Sequence, residues 1–459
     1  MGFSAENKAR RLDEQVKPEP QGSADRATFG VIFLTIFLDM VGFSVIFPLF
    51  PAMLDHYLAR EAGTGGGLAT EFVNFARGMG FDAGGGDFRI ETVIFGGALG
   101  SLFAILQFMF APILGRWSDR IGRRPVLLVS VGGTVLSYLL WVFAGDFWAL
   151  VLARIIGGVA SGNLSVATAA IADVTSRKGR SKGMAFVGIA FGLGFIIGPA
   201  IGGWAWACGT SFAGEDSGGF FSLNRFSVAA IASCALAVLN WVWLAARFRE
   251  TLPPEKRDSA GERRPGIFRL GQVDNAAVKG SCLSYLFYMI SFSGMEFTLT
   301  FLAVERFSYT PADNARMFLL IGLTLIVAQG VLVRRLAGPV GERNLAFAGM
   351  LIGIAAFFLI AWADGSFLFY VGLFLMSAGV AFISPTLTAL TSLHSGESRQ
   401  GFHLGVFRSS GSLARAVGPL LAGVIYFKFG SAFAYVCGAL FLLLPAVILC
   451  AVPQPEREA

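Results

Sequence analysis

Charge is scarce in this chain. Asp, Glu, Lys and Arg make up only 14% of its 459 residues, against 55% hydrophobic residues, where a soluble chain carries about 25% charged residues. The mean hydropathy is +0.66. That deficit excludes an ordinary water-soluble globule, because the surplus apolar surface needs lipid as its solvent. Cysteine and histidine are scarce too. The five cysteines, Cys208, Cys234, Cys282, Cys437 and Cys450, are scattered through apolar stretches without pairing or metal-ligand spacing, which speaks against a disulfide framework or a zinc site. The three histidines, His56, His394 and His403, fall in or near predicted loops. No G-x-x-x-x-G-K-[ST] loop occurs, so ATP-driven pumping has no visible engine, and no nucleophile–base or metal-ligand motif supports an enzyme. No cofactor and no metal are expected.

What the chain has instead is long apolar runs. A helix rising 1.5 Å per residue needs about 20 apolar residues to cross about 30 Å of hydrocarbon. Twelve such runs are predicted: 29–53, 92–114, 125–144, 148–172, 183–207 and 226–248, then 280–303, 315–333, 345–363, 367–393, 402–427 and 432–452. The first follows a polar segment and is too long for a signal-peptide core, so it reads as a retained span.

Between the second and third runs stands G-R-W-S-D-R-I-G-R-R-P, residues 115–125. Its four arginines and aspartate cannot stay in hydrocarbon, so it reads as a loop shown to water. The same side carries Lys8, Arg10, Arg11, Lys17 and Arg26 before the first run, Arg177, Lys178, Arg180 and Lys182, and the stretch from Arg247 to Lys279. Most of the 36 basic residues lie on that side, which makes it cytoplasmic, with both termini there. The net charge of +6 therefore reads as topology and contact with anionic lipid, not nucleic acid.

The Pro- and charge-rich stretch R-F-R-E-T-L-P-P-E-K-R-D-S-A-G-E-R-R-P (247–265) looks like a linker between two six-span bundles that echo each other. G-P-A-I-G-G at 198–203 recurs as G-P-L-L-A-G at 418–423, and R-I-G-R-R at 120–124 recurs, worn, as P-V-G-E-R at 339–343. The expected division is a tail (1–28), a first bundle (29–248), a linker (249–279), a second bundle (280–452) and a short tail (453–459). An outer loop, 55–91, is read as mobile and without assigned function. Repeated halves of one orientation suit a transporter whose bundles rock about a central site.

These residues resemble the major facilitator superfamily. Gly115, Asp119, Arg120, Gly122, Arg123 and Arg124 match its G-x-x-x-D-R-x-G-R-R segment between spans 2 and 3. Arg154 and Gly158 match the R-x-x-x-G of span 4 in its proton-coupled drug antiporters, and Gly194, Gly198, Pro199, Gly202 and Gly203 match their G-x-x-x-G-P-x-x-G-G of span 5. R-E-T-L-P and the D-x-x-G-x-x-x-x-x-P-x-x-P of span 1 (Asp39, Gly42, Pro48, Pro51) look like the tetracycline-exporter branch. S-G-M-E-F-T-L-T-F-L in span 7 and F-L-L-I-G-L-T in span 8 are similar to eukaryotic tetracycline-transporter-like members. The resemblance covers essentially the whole chain. The second bundle departs from it, with Arg335, Gly338 and Pro339 where the first has Arg116, Asp119 and Arg120, so a loop latch is expected in the first bundle only. The fold implied is an all-α membrane protein of twelve transmembrane helices in two pseudo-symmetric six-helix bundles.

Each motif has a physical reading. The span 5 glycines let helices approach closely and Pro199 removes a ladder hydrogen bond, which serves close packing or, as the resemblance implies, a hinge and seal. Asp119 can accept from the N-terminal end of a neighbouring helix, and the loop arginines can pair with carboxylates such as Asp173 or with lipid phosphates, latching the bundles or merely anchoring the chain. Ionisable groups inside spans usually mark an ion or substrate path. Asp39, Arg154 and Glu296 are the candidates for proton coupling, since a carboxyl held between hydrocarbon and a guanidinium can load and release a proton. Arg154, Gly158, Ser161, Ser165 and Thr168 fall on one helix face and are expected to line a cavity. Gln107, Tyr288, Gln329, Arg408 and Arg415 are further cavity candidates, with Tyr285 and Phe292 as possible stacking partners. Arg408 and Arg415, seven apart on one face, suit an anionic substrate but equally suit pairing or snorkelling.

The expected function is a secondary transporter, a monomer of a cell (inner) membrane, that exports a small organic compound or drug in exchange for protons by alternating access. The alternatives are a proton-coupled importer or organic-anion transporter of the same fold, and a non-transporting receptor or scaffold.

Overall fold

The computed structural model describes residues 24–63, 88–174, 180–212, 222–254, 270–395 and 400–455, with isolated positions between them. The polar tail and most of the linker lie outside the described residues. The helices among the described residues group into twelve, as follows. α1 is assembled from Ala24–Ser44, a 3-10 turn Phe47–Leu49 and Phe50–Gly63; α2 is Phe88–Ile121 and α3 is Arg123–Val142. α4 is Phe147–Ala160 followed by Asn163–Val174; α5 is Arg180–Phe212 and α6 is Ser227–Arg247. In the second bundle α7 is Ala276–Phe307, and α8 is Pro311–Val327 continuing through a π-helical stretch Ala328–Val333 into Arg334–Val340. α9 is Glu342–Ala361 and α10 is Ser366–Leu393. A last helical stretch changes direction at Gly430 (φ 85°), which separates α11 (400–429) from α12 (431–450).

Two sequence expectations are corrected. The arginine segment is not a loop: α2 stays helical to Ile121, α3 starts at Arg123, and Gly122 alone turns the chain, at φ 109°. The reason is length. At 34 residues and 1.5 Å each, α2 is about 50 Å long, so its last turns stand clear of the hydrocarbon while still helical. The outer loop is also shorter than 55–91, because Phe50–Gly63 is helical and α2 begins at Phe88. Met53, Leu54, Tyr57 and Leu58 recur at helical spacing and are all buried, which explains the extension.

The bundles share their internal joints. Within the first, the Ser44 hydroxyl on α1 donates to the Gly194 carbonyl on α5 at 2.8 Å. Within the second, the Ser293 hydroxyl on α7 donates to the Ala414 carbonyl on α11 at 3.2 Å. The helix ends are treated alike as well. The Tyr57 hydroxyl and Asn224 amide donate to the Ala144 carbonyl beyond the end of α3. The Arg306 guanidinium donates to the Ile360, Ala361 and Ala363 carbonyls at the end of α9. In both bundles these bonds satisfy carbonyls that a helix C-terminus leaves without a partner.

Contact between bundles runs through α5 against α8 and α2 against α11. At the end away from the arginine turn, Phe47 meets Phe318 at 6.2 Å between ring centroids, and Phe50 meets Phe297 at 6.3 Å. The Asn314 amide reaches the Pro48 carbonyl there at 3.5 Å. Gly203, the last of the span 5 glycines, abuts Ala315 of α8. The other motif glycines serve a different joint: a Cβ on Gly194 would strike Met40, one on Gly198 the Ser44 hydroxyl and the Val41 carbonyl, and one on Gly202 the Val45 carbonyl. They seat α5 directly on the α1 backbone. Gly198→Val should therefore destabilise the detergent-purified protein by at least the 1–3 kcal/mol typical of overpacking, about. Gly192→Val, where a Cβ meets nothing within 4 Å, should leave the melting temperature close to wild type in the same thermal-shift measurement.

Candidate functional site

Two polar clusters lie inside the spans, one in each bundle. In the first, Asp39 on α1 faces the interruption of α4 at Ser161–Gly162, where the Asn163 side chain stands beside its carboxyl. Tyr138 on α3 is within electrostatic reach of both Asp39 and Arg154. Arg154 is 6% exposed. Its guanidinium lies 5.1 Å from the centroid of the Trp141 ring, its Nε–H has no acceptor, and the groups acting on it are the Tyr138 and Tyr57 phenols. Asp39 and Arg154 are thus neighbours through Tyr138 and make no direct ion pair.

In the second bundle the Tyr288 hydroxyl on α7 sits beside Ser384 of α10. Glu296 on α7 is under the influence of Arg415 on α11. Tyr285 is in reach of both Arg408 and Arg415. Its ring stacks on Phe407 at 4.0 Å, and Tyr288 stacks on Phe292 at 5.9 Å, so α7 and α11 share an aromatic panel. The Arg415 guanidinium also reaches across to the first bundle, 6.0 Å from the centroid of the Phe195 ring on α5. Asp39, Glu296, Arg408 and Arg415 all keep partial exposure although they lie deep within their spans.

The expected coupling trio is therefore split: Asp39 and Arg154 lie in one cluster and Glu296 in the other, with Arg415. The expected stripe on α4 is split too. The chain turns at Ser161–Gly162, and a Cβ on Gly158 would meet Leu106 and the Phe103 carbonyl, so that face packs on α2. Gln107 donates to the Ser161 carbonyl at 3.2 Å and braces the turn. Ser161 is buried and its hydroxyl donates to Gly158. Ser165 is half-buried, and its carbonyl accepts from Thr168. Gln329 falls in the π-helical stretch of α8 and is half-buried. Such stretches interrupt the regular ladder and frequently accompany functional sites.

At the arginine turn, Arg123 is buried, pairs with Asp119 at 2.5 Å and Asp173 at 2.9 Å, and donates to the Ser118 hydroxyl at 2.6 Å. Asp119 does not cap a neighbouring helix as expected, because Arg123 holds it. That capping role falls to Glu250, whose carboxylate accepts from the Arg123 and Arg124 amides at 2.8 and 3.1 Å. A carboxylate there satisfies two unpaired N–H groups and opposes the helix dipole. Arg124 donates to the Ala245 carbonyl at 2.8 Å, while Arg116 and Arg120 are exposed. The second bundle repeats the arrangement without the charge: Gly341 (φ 86°) turns the chain, Gln454 abuts it, and Arg343 donates to the Val452 carbonyl. Glu250, Asn163 and Ser384 escape sequence reading because their partners lie far away along the chain. R-E-T-L-P marks the place of Glu250 without revealing what it holds.

A shallow apolar groove between α5 and α8 is lined by Ile196, Ile197, Ala200, Ile201, Trp204 and Leu319. Its lining is almost wholly apolar, so it offers little chemistry to a polar substrate.

A family model described as the Major Facilitator Superfamily matches residues 32–365 and 282–459. Major facilitator superfamily domain-containing protein 10 of Bos taurus is 34% identical, covering 95% of this chain and 95% of its own length. The class E tetracycline resistance protein of Escherichia coli is 31% identical over 87% of this chain and 88% of its own length. Among solved structures, the human organic anion transporter MFSD10 (TETRAN) superposes with a TM-score of 0.72 at 32% identity, covering 93% of this chain and 99% of its own. A D-xylose–proton symporter superposes with a TM-score of 0.69 at 16% identity and shares the fold alone.

Glu250→Ala should cost about 1 kcal/mol, the usual value of a helix N-cap. Amide hydrogen exchange should locate the loss, with the Arg123 and Arg124 amides losing protection while the interior of α3 keeps it.

Proposed function

The chain belongs to the major facilitator superfamily, and on that premise we propose that it is a proton-linked carrier of small organic anions working by alternating access. The charge inventory of the spans carries this reading. Arg154, Arg408 and Arg415 put three guanidiniums between the ends of the helices, and Asp39 and Glu296 put two carboxyls there. With both carboxyls ionised, one positive charge is still unmatched. Holding a charge at the centre of a bilayer costs about 2.5–3.5 kcal/mol on insertion scales, and an anionic substrate offsets that cost. The similarity to a transporter named for organic anions supports the same class.

In this reading the substrate sits between the two clusters and sees water first from one end of the bundles and then from the other. The Phe47–Phe318 and Phe50–Phe297 contacts close the end away from the arginine turn. The Asp119–Arg123–Asp173 cluster stays within its own bundle, and its engagement of the second bundle belongs to the opposite state. The arginine-rich end is assigned to the cytoplasm. Export of a drug in exchange for protons is the second reading. The span 5 glycine motif favours it, with Asp39 as the proton carrier.

Proteoliposomes under an imposed pH gradient separate the two readings. The probe for the first is an aryl sulfonate, which keeps its charge at all working pH values and cannot cross the lipid as a neutral acid. Anion and proton travelling together accumulate the sulfonate on the alkaline side. Exchange of a tetracycline-like drug against protons accumulates that drug on the acidic side. Sulfonate flux that ignores both the gradient and its collapse by an ionophore would remove the proton linkage.

A further inference from the structure

We propose that the groove between α5 and α8 is a phospholipid site. One acyl chain lies along the seam of the bundles, its phosphate rests on Arg316, and its binding holds the outer end, away from the arginine turn, closed. The proposal does not depend on which solute the carrier moves.

The groove belongs to both bundles. Ile196, Ile197, Ala200, Ile201 and Trp204 come from α5 and Leu319 from α8, and together they enclose about 320 Å3. The two helices touch at its ends. Gly203 abuts Ala315 at the outer end, and deeper in the span a Cβ on Gly322 would lie 1.8 Å from the Ile196 side chain. From Ile196 to Gly203 the helix rises about 10 Å.

The groove opens to the bilayer and not to the space between the bundles. The Phe47–Phe318 and Phe50–Phe297 contacts close that space at this end, so side chains exposed here stand outside the seam. Leu319, Leu323 and Val327 are exposed at steps of four on α8 and form one apolar stripe of a spanning helix. A furrow beside it that stayed empty would forfeit dispersion contacts along both walls. An acyl chain fills it without desolvating a polar group.

The mouth supplies the headgroup chemistry. Arg316 stands one turn outward of Leu319 on the same stripe. There the polar start of α8, D-N-A-R, gives way to M-F-L-L-I, which places Arg316 at the boundary of the hydrocarbon. Its side chain is 73% exposed. Nη1 donates to Asp313 at 2.8 Å, while Nε and Nη2 have no partner among the described residues. A phosphodiester can take both in the forked geometry that a guanidinium favours. Trp204, next to Gly203 and so level with Ala315 and Arg316, frames the other side of the mouth. Tryptophan is enriched at this depth of a membrane.

Occupancy is coupled to the state of the carrier because the two walls belong to different bundles. Parting the outer end draws Leu319 and Arg316 away from the α5 wall and divides the site. A ligand that binds one of two forms favours that form by its differential affinity. A lipid seated here therefore favours the closed outer end.

Native mass spectrometry of the detergent-purified full chain tests the site. The probes are phosphatidylcholine, whose only anionic group is its phosphodiester, and a diacylglycerol with the same chains. Wild type should retain one phosphatidylcholine about fivefold more tightly than diacylglycerol, which is what an exposed ion pair is worth at most. Ala200→Trp fills the groove from an exposed position and should lose that lipid. Leu239→Trp, at an exposed position on α6, should keep it. Arg316→Ala should bring phosphatidylcholine down to the level of diacylglycerol, and Arg316→Lys should restore most of the difference. Hydrogen exchange reads the coupling. Phosphatidylcholine should slow the amides of 200–209 and 311–318 in wild type and leave them unchanged in Ala200→Trp. Undiminished retention in Ala200→Trp overturns the site. So does a dimer that Ala200→Trp dissociates, since a second copy of the chain would then be the occupant. Equal retention of the two probes by wild type overturns the part given to Arg316, and lipid binding without slowed exchange overturns the coupling.

Discussion

Hydrocarbon offers no hydrogen bonds, so every backbone amide and carbonyl in this protein must find its partner within the chain. Inside a helix that is automatic, and the problem moves to the ends. The structure meets it with the same parts in both bundles. The first helix of each sends a side chain, Tyr57 or Arg306, to the carbonyls at the end of the third. The residue following the sixth, Glu250 or Gln454, sits against the glycine that starts the third. These joints tie the first, third and sixth helices of each bundle into one body, and a body of that kind can move as a unit.

Charge inside the bundles is the second constraint, and it is distributed unequally. The first bundle holds Asp39 against an amide and leaves Arg154 lying over Trp141. The second places Glu296 in the same cluster as Arg415 and adds Arg408. Between its own first and fourth helices it has Tyr288 and Ser384, a neutral pair. Duplication of the scaffold has thus been kept while the chemistry has diverged, with cationic groups gathered in the second bundle and the isolated acid in the first.

Much of this was legible in the sequence. Apolar runs set against a shortage of charge located all twelve spans, because length and hydropathy are properties of a contiguous stretch. The repeat was visible in G-P-A-I-G-G and G-P-L-L-A-G, and the structure gives Gly198 and Gly418 like seats, against Ser44 and Ser293. The arginine segment misled, because polar composition was read as loop although α2 is long enough to carry those charges beyond the bilayer as helix. The nearness of Asp39 to Asn163 and of Glu296 to Arg415, and the bonds from the α3 amides to Glu250, were not legible. Each joins residues more than a hundred positions apart, and nothing in local periodicity specifies which helix faces which. The turn inside α4 was hidden for another reason: Ser161 and Gly162 interrupt the helix without interrupting the apolar run.

The aromatic contacts between bundles have a thermal consequence. Phe47, Phe50, Phe297 and Phe318 meet across the seam, and parting that end wets their faces. Hydration of apolar surface raises heat capacity. The free-energy difference between the two open forms must then curve with temperature, so cooling and warming do not act on the carrier as mirror images. Its balance between faces is set partly by how cold the membrane is.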